Sequence, residues 1–277
     1  FLDRNLRGSI EVFNESVQAD TVDIDTTGFA SSVYFDAADD YYHRVGYNLA
    51  KNTTTQKSTD AQSKTGEEDK TLTSSSMRYT LGRNTLDNRF DPTEGGLLEL
   101  TEEYSGLGGD VNFLKTQLRA AYYKPLAFRK FVLGIRGELG YVDGLGDKVT
   151  QSSRFTLGGR KLRGFDSGGV GPRDQGSFSA VGGNKIYSGS IELISSFGIS
   201  DDLGLRWTVF SDFGSVWDTD YPVGVTSPNN NAMRQTLGVG FLWDTAIGPL
   251  TFYWADPISK ESHDITKRFQ FNIGTRF

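Results

Sequence analysis

Leu203-Gly204-Leu205-Arg206-Trp207-Thr208-Val209-Phe210-Ser211-Asp212 alternates along its length. Leu203, Leu205, Trp207 and Val209 share one face, while Arg206, Thr208 and Asp212 share the other. A period of two is the signature of a β-strand. Any half-buried strand alternates, so the character of the polar face decides the fold. It is charged here, and it is charged elsewhere too. Phe269, Phe271, Ile273 and Phe277 oppose Gln270, Asn272 and Arg276, and Phe131, Leu133, Ile135 and Leu139 oppose Lys130, Arg136 and Glu138. Leu114, Leu118 and Tyr122 oppose Lys115, Gln117 and Arg119. A soluble barrel that holds an apolar ligand requires an apolar interior, and charged faces cannot pack into a shared core. A water-filled lumen inside an apolar outer wall accounts for both faces. Trp217, Trp243, Trp254 and Phe277 fall near predicted strand ends, where interfacial girdles form.

Outward from this strand the alternation predicts about twelve strands and no helix. They are Leu6–Gln18, Phe29–Ala37, Tyr41–Lys51, Thr71–Gly82, Leu97–Tyr104, Val111–Lys124 and Arg129–Tyr141, then Ile186–Phe197, Leu203–Trp217, Ala232–Asp244, Leu250–Ala255 and Lys267–Phe277. Short links near Ala38, Leu126, Ser200 and Ala246 alternate with long or polar ones near Thr59, Gly168, Thr226 and Glu261. The segment Arg83–Gly95 is the one long link on the short side. Short turns at one end and long loops at the other are the pattern of an up-and-down outer-membrane barrel.

The chain has 277 residues, a net charge of −6, no Cys, 33 Gly, 19 Phe and 12 Tyr. Its mean hydropathy is −0.42, and no apolar run is long enough for a membrane-spanning helix. Alternating strands average out in a hydropathy window, so a membrane barrel is compatible with that value. The acidic balance argues against nucleic acid as a partner. Absence of Cys removes disulfides and thiolate metal sites. His43 and His263 stand far apart without a catalytic context, which argues against an enzyme, and His263 reads as a solvated loop residue. Asp36, Asp39 and Asp40 crowd a turn without a calcium-loop pattern and read as solvated. No cofactor is expected. Phe1 is not preceded by Met or a signal peptide, so the sequence reads as a processed product or a fragment.

The longest stretch without strand periodicity, 142–185, holds Gly158-Gly159-Arg160-Lys161-Leu162-Arg163-Gly164-Phe165 and Gly168-Gly169-Val170-Gly171-Pro172-Arg173-Asp174. Its glycines and the Gly-Pro step enforce turns. Its apolar Leu162 and Phe165 suit a loop that docks, against the plain reading of a Gly-rich surface loop with a solvated Arg163.

Leu162-Arg163-Gly164-Phe165 resembles the Val/Leu-Arg-Gly-Phe/Tyr motif of BamA-type outer-membrane barrels. So do Gly168–Asp174 with Val181-Gly182-Gly183-Asn184, Phe210–Asp218, Gly248–Pro257 and Phe269–Phe277, helped by Phe1-Leu2-Asp3-Arg4 and Phe90–Gly95. The resemblance implies one transmembrane barrel domain over 1–277, with the 142–185 loop folded into its lumen. Family barrels have sixteen strands after periplasmic POTRA domains, so about four strands and those domains are expected to be missing here. It also implies that Arg163 contacts acidic residues on two strands. Parity places Asp212 and Glu192 on inward faces, and a guanidinium fork suits carboxylates. The implied clasp is Leu162, Arg163, Gly164 and Phe165 with Glu192 and Asp212. The implied seam is the closing strand Lys267–Phe277, with Phe269, Phe271, Ile273, Gly274 and Phe277, where a client strand adds to an open edge. Implied partners are unfolded outer-membrane clients, the lipoproteins of an assembly complex, and the bilayer with its lipopolysaccharide. A two-partner secretion pore shares the fold and the loop; a passive porin or an outer-membrane enzyme fits less well.

Overall fold

A computed structural model describes residues 6–18, 22–56, 70–89, 91–126, 130–174, 178–196, 204–220, 231–245 and 248–273. Phe1-Leu2-Asp3-Arg4, Phe90, Leu203, Gly274, Arg276 and Phe277 lie outside these residues, as do most of the polar loops near Thr59 and Thr226 and the turns near Ser200 and Ala246. Among the described residues there are fourteen strands: β1 (Leu6–Gln18), β2 (Val22–Ala38), β3 (Tyr41–Gln56), β4 (Lys70–Asn84), β5 (Gly95–Gly109), β6 (Phe113–Leu126) and β7 (Phe131–Gly144). Then come β8 (Gly164–Phe165), β9 (Lys185–Ser196), β10 (Leu205–Trp217), β11 (Arg234–Thr245), β12 (Gly248–Ser259), β13 (Thr266–Lys267) and β14 (Phe269–Ile273). Twelve form one antiparallel up-and-down sheet, β1 to β7, β9 to β12 and β14, each paired with its neighbour. Among the described residues no ladder joins β1 to β14.

The sheet sorts its faces as the alternation requires. Val209, Val239, Trp254, Phe271 and Ile273 are exposed on the outer wall, and Trp207 stands edge-on to Phe131 beside them. Thr208 and Gln270 are buried inside. Arg206 also points inward, pairing with Asp91 and with Asp244 at 2.8 Å. The long link between β4 and β5 is held compact by Asp87, which accepts from Thr93 Oγ1 (2.6 Å) and from the Thr93 and Glu94 amides.

Several expectations change. β2 begins at Val22 and β3 runs to Gln56, well past the apolar stretches, because the backbone ladder continues where lipid contact ends. β12 continues through Pro257, which sits at a register irregularity opposite Thr236, the place where a strand tolerates a missing amide donor. Trp254 therefore lies mid-strand rather than at a girdle position. The expected single strand Lys267–Phe277 is divided near Arg268: Lys267 pairs with Gly164 of the long loop, the Arg268 carbonyl accepts from the Ala255 amide of β12, and among the described residues Phe269–Ile273 continue that pairing. The lumen is also not simply water-filled. Its long-loop end holds an apolar core in which Leu157, Leu162, Phe165 and Val170 of the loop pack against Phe113, Val142, Ile186 and Val216 of the wall.

Candidate functional site

Between β7 and β9 the chain turns inward through a short 3-10 turn, Gln151–Ser153, and a series of isolated bridges. Gly158 (φ +129°) and Gly164 (φ +95°) occupy backbone conformations that side chains rarely adopt. A Cβ on Gly158 would fall 1.9 Å from the Asp166 carbonyl, and one on Gly164 about 3.0 Å from Thr236. These two glycines let the tip fold tightly and lie against β11 and β12.

That fold delivers Arg163 to the wall. Its Nε and Nη2 donate to Asp212 Oδ2 and Oδ1, both at 2.7 Å, and its backbone amide donates to Asp212 Oδ2 at 3.0 Å. Nη1 donates to Glu192 Oε2 at 3.1 Å and Nη2 to Ser190 Oγ at 2.9 Å. The guanidinium lies 3.3 Å from the Phe210 ring centroid and 4.9 Å from that of Tyr253. Arg163 is 2% exposed and Asp212 1%. Burial works against the charge on Arg163, but the carboxylates of Asp212 and Glu192 outweigh it and hold the guanidinium above its ordinary value. Glu192 also accepts from Arg136 Nη2 at 3.2 Å, so two cations share it.

Leu162 and Phe165, on either side of Arg163 and Gly164, are fully buried. Phe165 pairs with Thr266, and its carbonyl accepts from Gln270 Nε2 at 2.7 Å. The loop tip thereby holds both β13 and the inner face of β14. Of the expected seam residues, Phe269, Phe271 and Ile273 stand on the outer wall, directed away from the clasp.

Three more buried arginines hold the loop, and none was read from the alternation. Arg154 donates to the carbonyls of Val149 (2.8 Å) and Val181 (2.9 Å). Arg173 donates to the carbonyls of Gly168 (2.8 Å), Phe178 (2.9 Å) and His263 (3.0 Å). Arg234 pairs with Asp264 at 2.9 Å, both almost wholly buried. His263 is consequently not a solvated residue: its side chain is 9% exposed and Nε2 lies 3.3 Å from Arg234 Nη2. Burial lowers its pKa below the ordinary histidine value, against the pull of Asp264. Among the described residues no cluster of His, Asp and Glu is arranged to hold a metal ion.

Residues 2–277 match the family model of the Omp85 superfamily domain. The chain belongs to the Omp85 superfamily. It is 28% identical over 253 residues to the outer membrane protein assembly factor BamA of Neorickettsia risticii, covering 91% of this chain and 34% of that protein. It is 31% identical over 222 residues to BamA of Neisseria meningitidis, covering 71% of this chain and 28% of that one. The chain thus spans about a third of the length of these Omp85 relatives. A crystal structure of BamA from Haemophilus ducreyi lacking POTRA domains 1-3 superposes with a TM-score of 0.82 at 22% identity, over 98% of this chain and 58% of that one. CdiB from Escherichia coli superposes less closely, at 0.62 and 14% identity, over 96% of this chain and 48% of that one. Both are likenesses of fold.

Proposed function

We propose that this chain is the barrel of a bacterial outer-membrane protein assembly factor, which receives unfolded barrel proteins and inserts them into the bilayer without enzymatic chemistry. The observation that carries the reading is the hold of the loop tip on the terminal strand. Within the described residues Phe269–Ile273 of β14 pair with β12, while Thr266 and Lys267 just before them pair with Phe165 and Gly164 of the loop. A strand at a barrel seam, where it offers amides and carbonyls, is a template for an incoming strand. Arg163 gives this strand a fixed support: it seats the loop tip, and the tip holds Thr266 and Gln270. Clients are unfolded outer-membrane proteins, and an assembly complex with lipoproteins is the natural setting.

The test uses the full-length protein in proteoliposomes, presented with an unfolded outer-membrane barrel and, separately, with a soluble secreted β-helical protein. Assembly predicts that the barrel becomes heat-modifiable and protease-resistant faster than in protein-free liposomes. Passage of the soluble protein without acceleration of the barrel would favour a two-partner secretion pore and overturn the proposal.

A further inference from the structure

Beneath the loop tip, toward the end of the lumen that carries the short connections, lies a cavity of about 510 Å3. Its charge is one-sided. Arg44, Arg89, Arg119, Arg136, Arg160 and Lys161 line it, against only Glu99 and Glu138. Both carboxylates are already engaged. Glu99 accepts from Tyr42 Oη, and Glu138 from Lys161 Nζ (2.8 Å) and Gln117 Nε2 (2.7 Å). Arg136 is held by Glu192. Among the described residues no carboxylate forms an ion pair with Arg44 or Arg89, and Arg119 lies across the ladder from Glu99 and Glu138, the two carboxylates already engaged. A lumen pocket that collects guanidinium groups beyond the carboxylates available to them is a receptor for external anions.

The spacing narrows the ligand. Arg44 lies level with Thr80, Thr101 and Gln117 on successive strands, and Arg119 is two residues along β6 from Gln117. At about 4.8 Å per strand, Arg44 and Arg119 stand roughly 15 Å apart along the wall. An elongated ligand with two separated anionic groups engages both arginines without requiring their side chains to converge. An extended peptide, rising about 3.3 Å per residue, does so with acidic side chains four or five positions apart. Tyr34, Leu97 and Ala121 of the same wall, with Leu86 of the β4–β5 link, give the intervening residues an apolar surface.

We infer that this cavity binds an extended acidic peptide segment, entering from the end of the barrel where the β4–β5 link contributes Leu86 and Arg89. A ligand carboxylate on Arg136 competes with Glu192, the residue that also holds Arg163, so occupancy reaches the clasp. The inference does not rest on the assembly reading, because binding is measured without any client insertion.

The test is fluorescence anisotropy of a labelled ten-residue peptide carrying two Glu four positions apart among Leu and Tyr, with full-length protein in lipid nanodiscs. The expected result is binding at least about tenfold tighter than that of the Gln-for-Glu peptide, weakening as salt rises. Arg44→Gln with Arg119→Gln should weaken it at least tenfold, and Arg44→Lys with Arg119→Lys should retain most of it. Equal binding of the acidic and amide peptides to the unmodified protein would overturn the inference, whether or not the variants fold. Displacement of the peptide by an equal concentration of inorganic pyrophosphate would also overturn it, marking a phosphate site.

Discussion

Replacing Arg163 by Ala removes six contacts at once: two to Asp212, one each to Glu192 and Ser190, and those with the rings of Phe210 and Tyr253. Asp212, 1% exposed, keeps only the backbone amide of residue 163. Breaking a buried ion pair by deleting one partner costs about 3–5 kcal/mol, because the other charge stays buried and unpaired. The neighbouring polar cavity gives Glu192 an alternative in Arg136, which favours the lower end for that carboxylate. At about 1.4 kcal/mol per factor of ten, 3 kcal/mol lowers the loop-docking equilibrium by roughly a hundredfold. Hydrogen exchange of the full-length protein in nanodiscs reads this directly: amides of 155–174 should exchange far faster, while those of β6 and β7 keep their protection. Arg163→Lys should restore little, since an ammonium cannot reproduce the fork across Asp212 and Glu192. In the double variant Arg163→Ala with Asp212→Ala, the added loss should be smaller than the sum of the singles. Unchanged exchange of 155–174 in Arg163→Ala would refute the idea that this residue seats the loop.

Gly164→Ala should undock the same tip, because a φ of +95° strains any side chain at a cost of about 1–3 kcal/mol and its Cβ would press on Thr236 and Ala255; protease sensitivity of the loop checks it. Val209→Arg on the outer wall should cost roughly 2–4 kcal/mol, whereas Leu205→Arg, at the strand end opposite Trp243, should cost far less; equilibrium unfolding from lipid separates them. His263 has a lowered pKa in the fold, so the undocked chain takes up the proton first as pH falls below about 6.5, and docking of loop 260–265 weakens from there downward. Protection of those amides, relative to the intrinsic exchange rate at each pH, should fall between about pH 7.5 and pH 5.5 in the parent and change less in His263→Gln.

The alternation made the wall legible residue by residue. It set Asp212 and Glu192 inward and Val209 and Phe271 outward, and the register of β9 with β10 carries both acids to one place. Strand ends were less legible: hydrophobic contrast fades where lipid contact ends, while hydrogen bonding carries β2 on to Val22 and β12 on to Ser259. The division near Arg268 left no trace in the pattern, because Lys267 turns to a partner in the loop a hundred residues away. Arg154 and Arg173 were hidden for a related reason. Their partners are backbone carbonyls, to which any residue can contribute. The acidic partner of Arg234 lies in a loop whose approach only the folded chain establishes.

The central claim is that the terminal strand, β14, receives the client. A photoreactive phenylalanine analogue placed at Phe271, and as a control at Val209, tests it in the full-length protein during assembly of an unfolded barrel. Crosslinks from position 271 to a terminal strand of the client, with few from position 209, are the expected result. Efficient assembly with no client crosslink at 271, or with equal crosslinking at both positions, would contradict it.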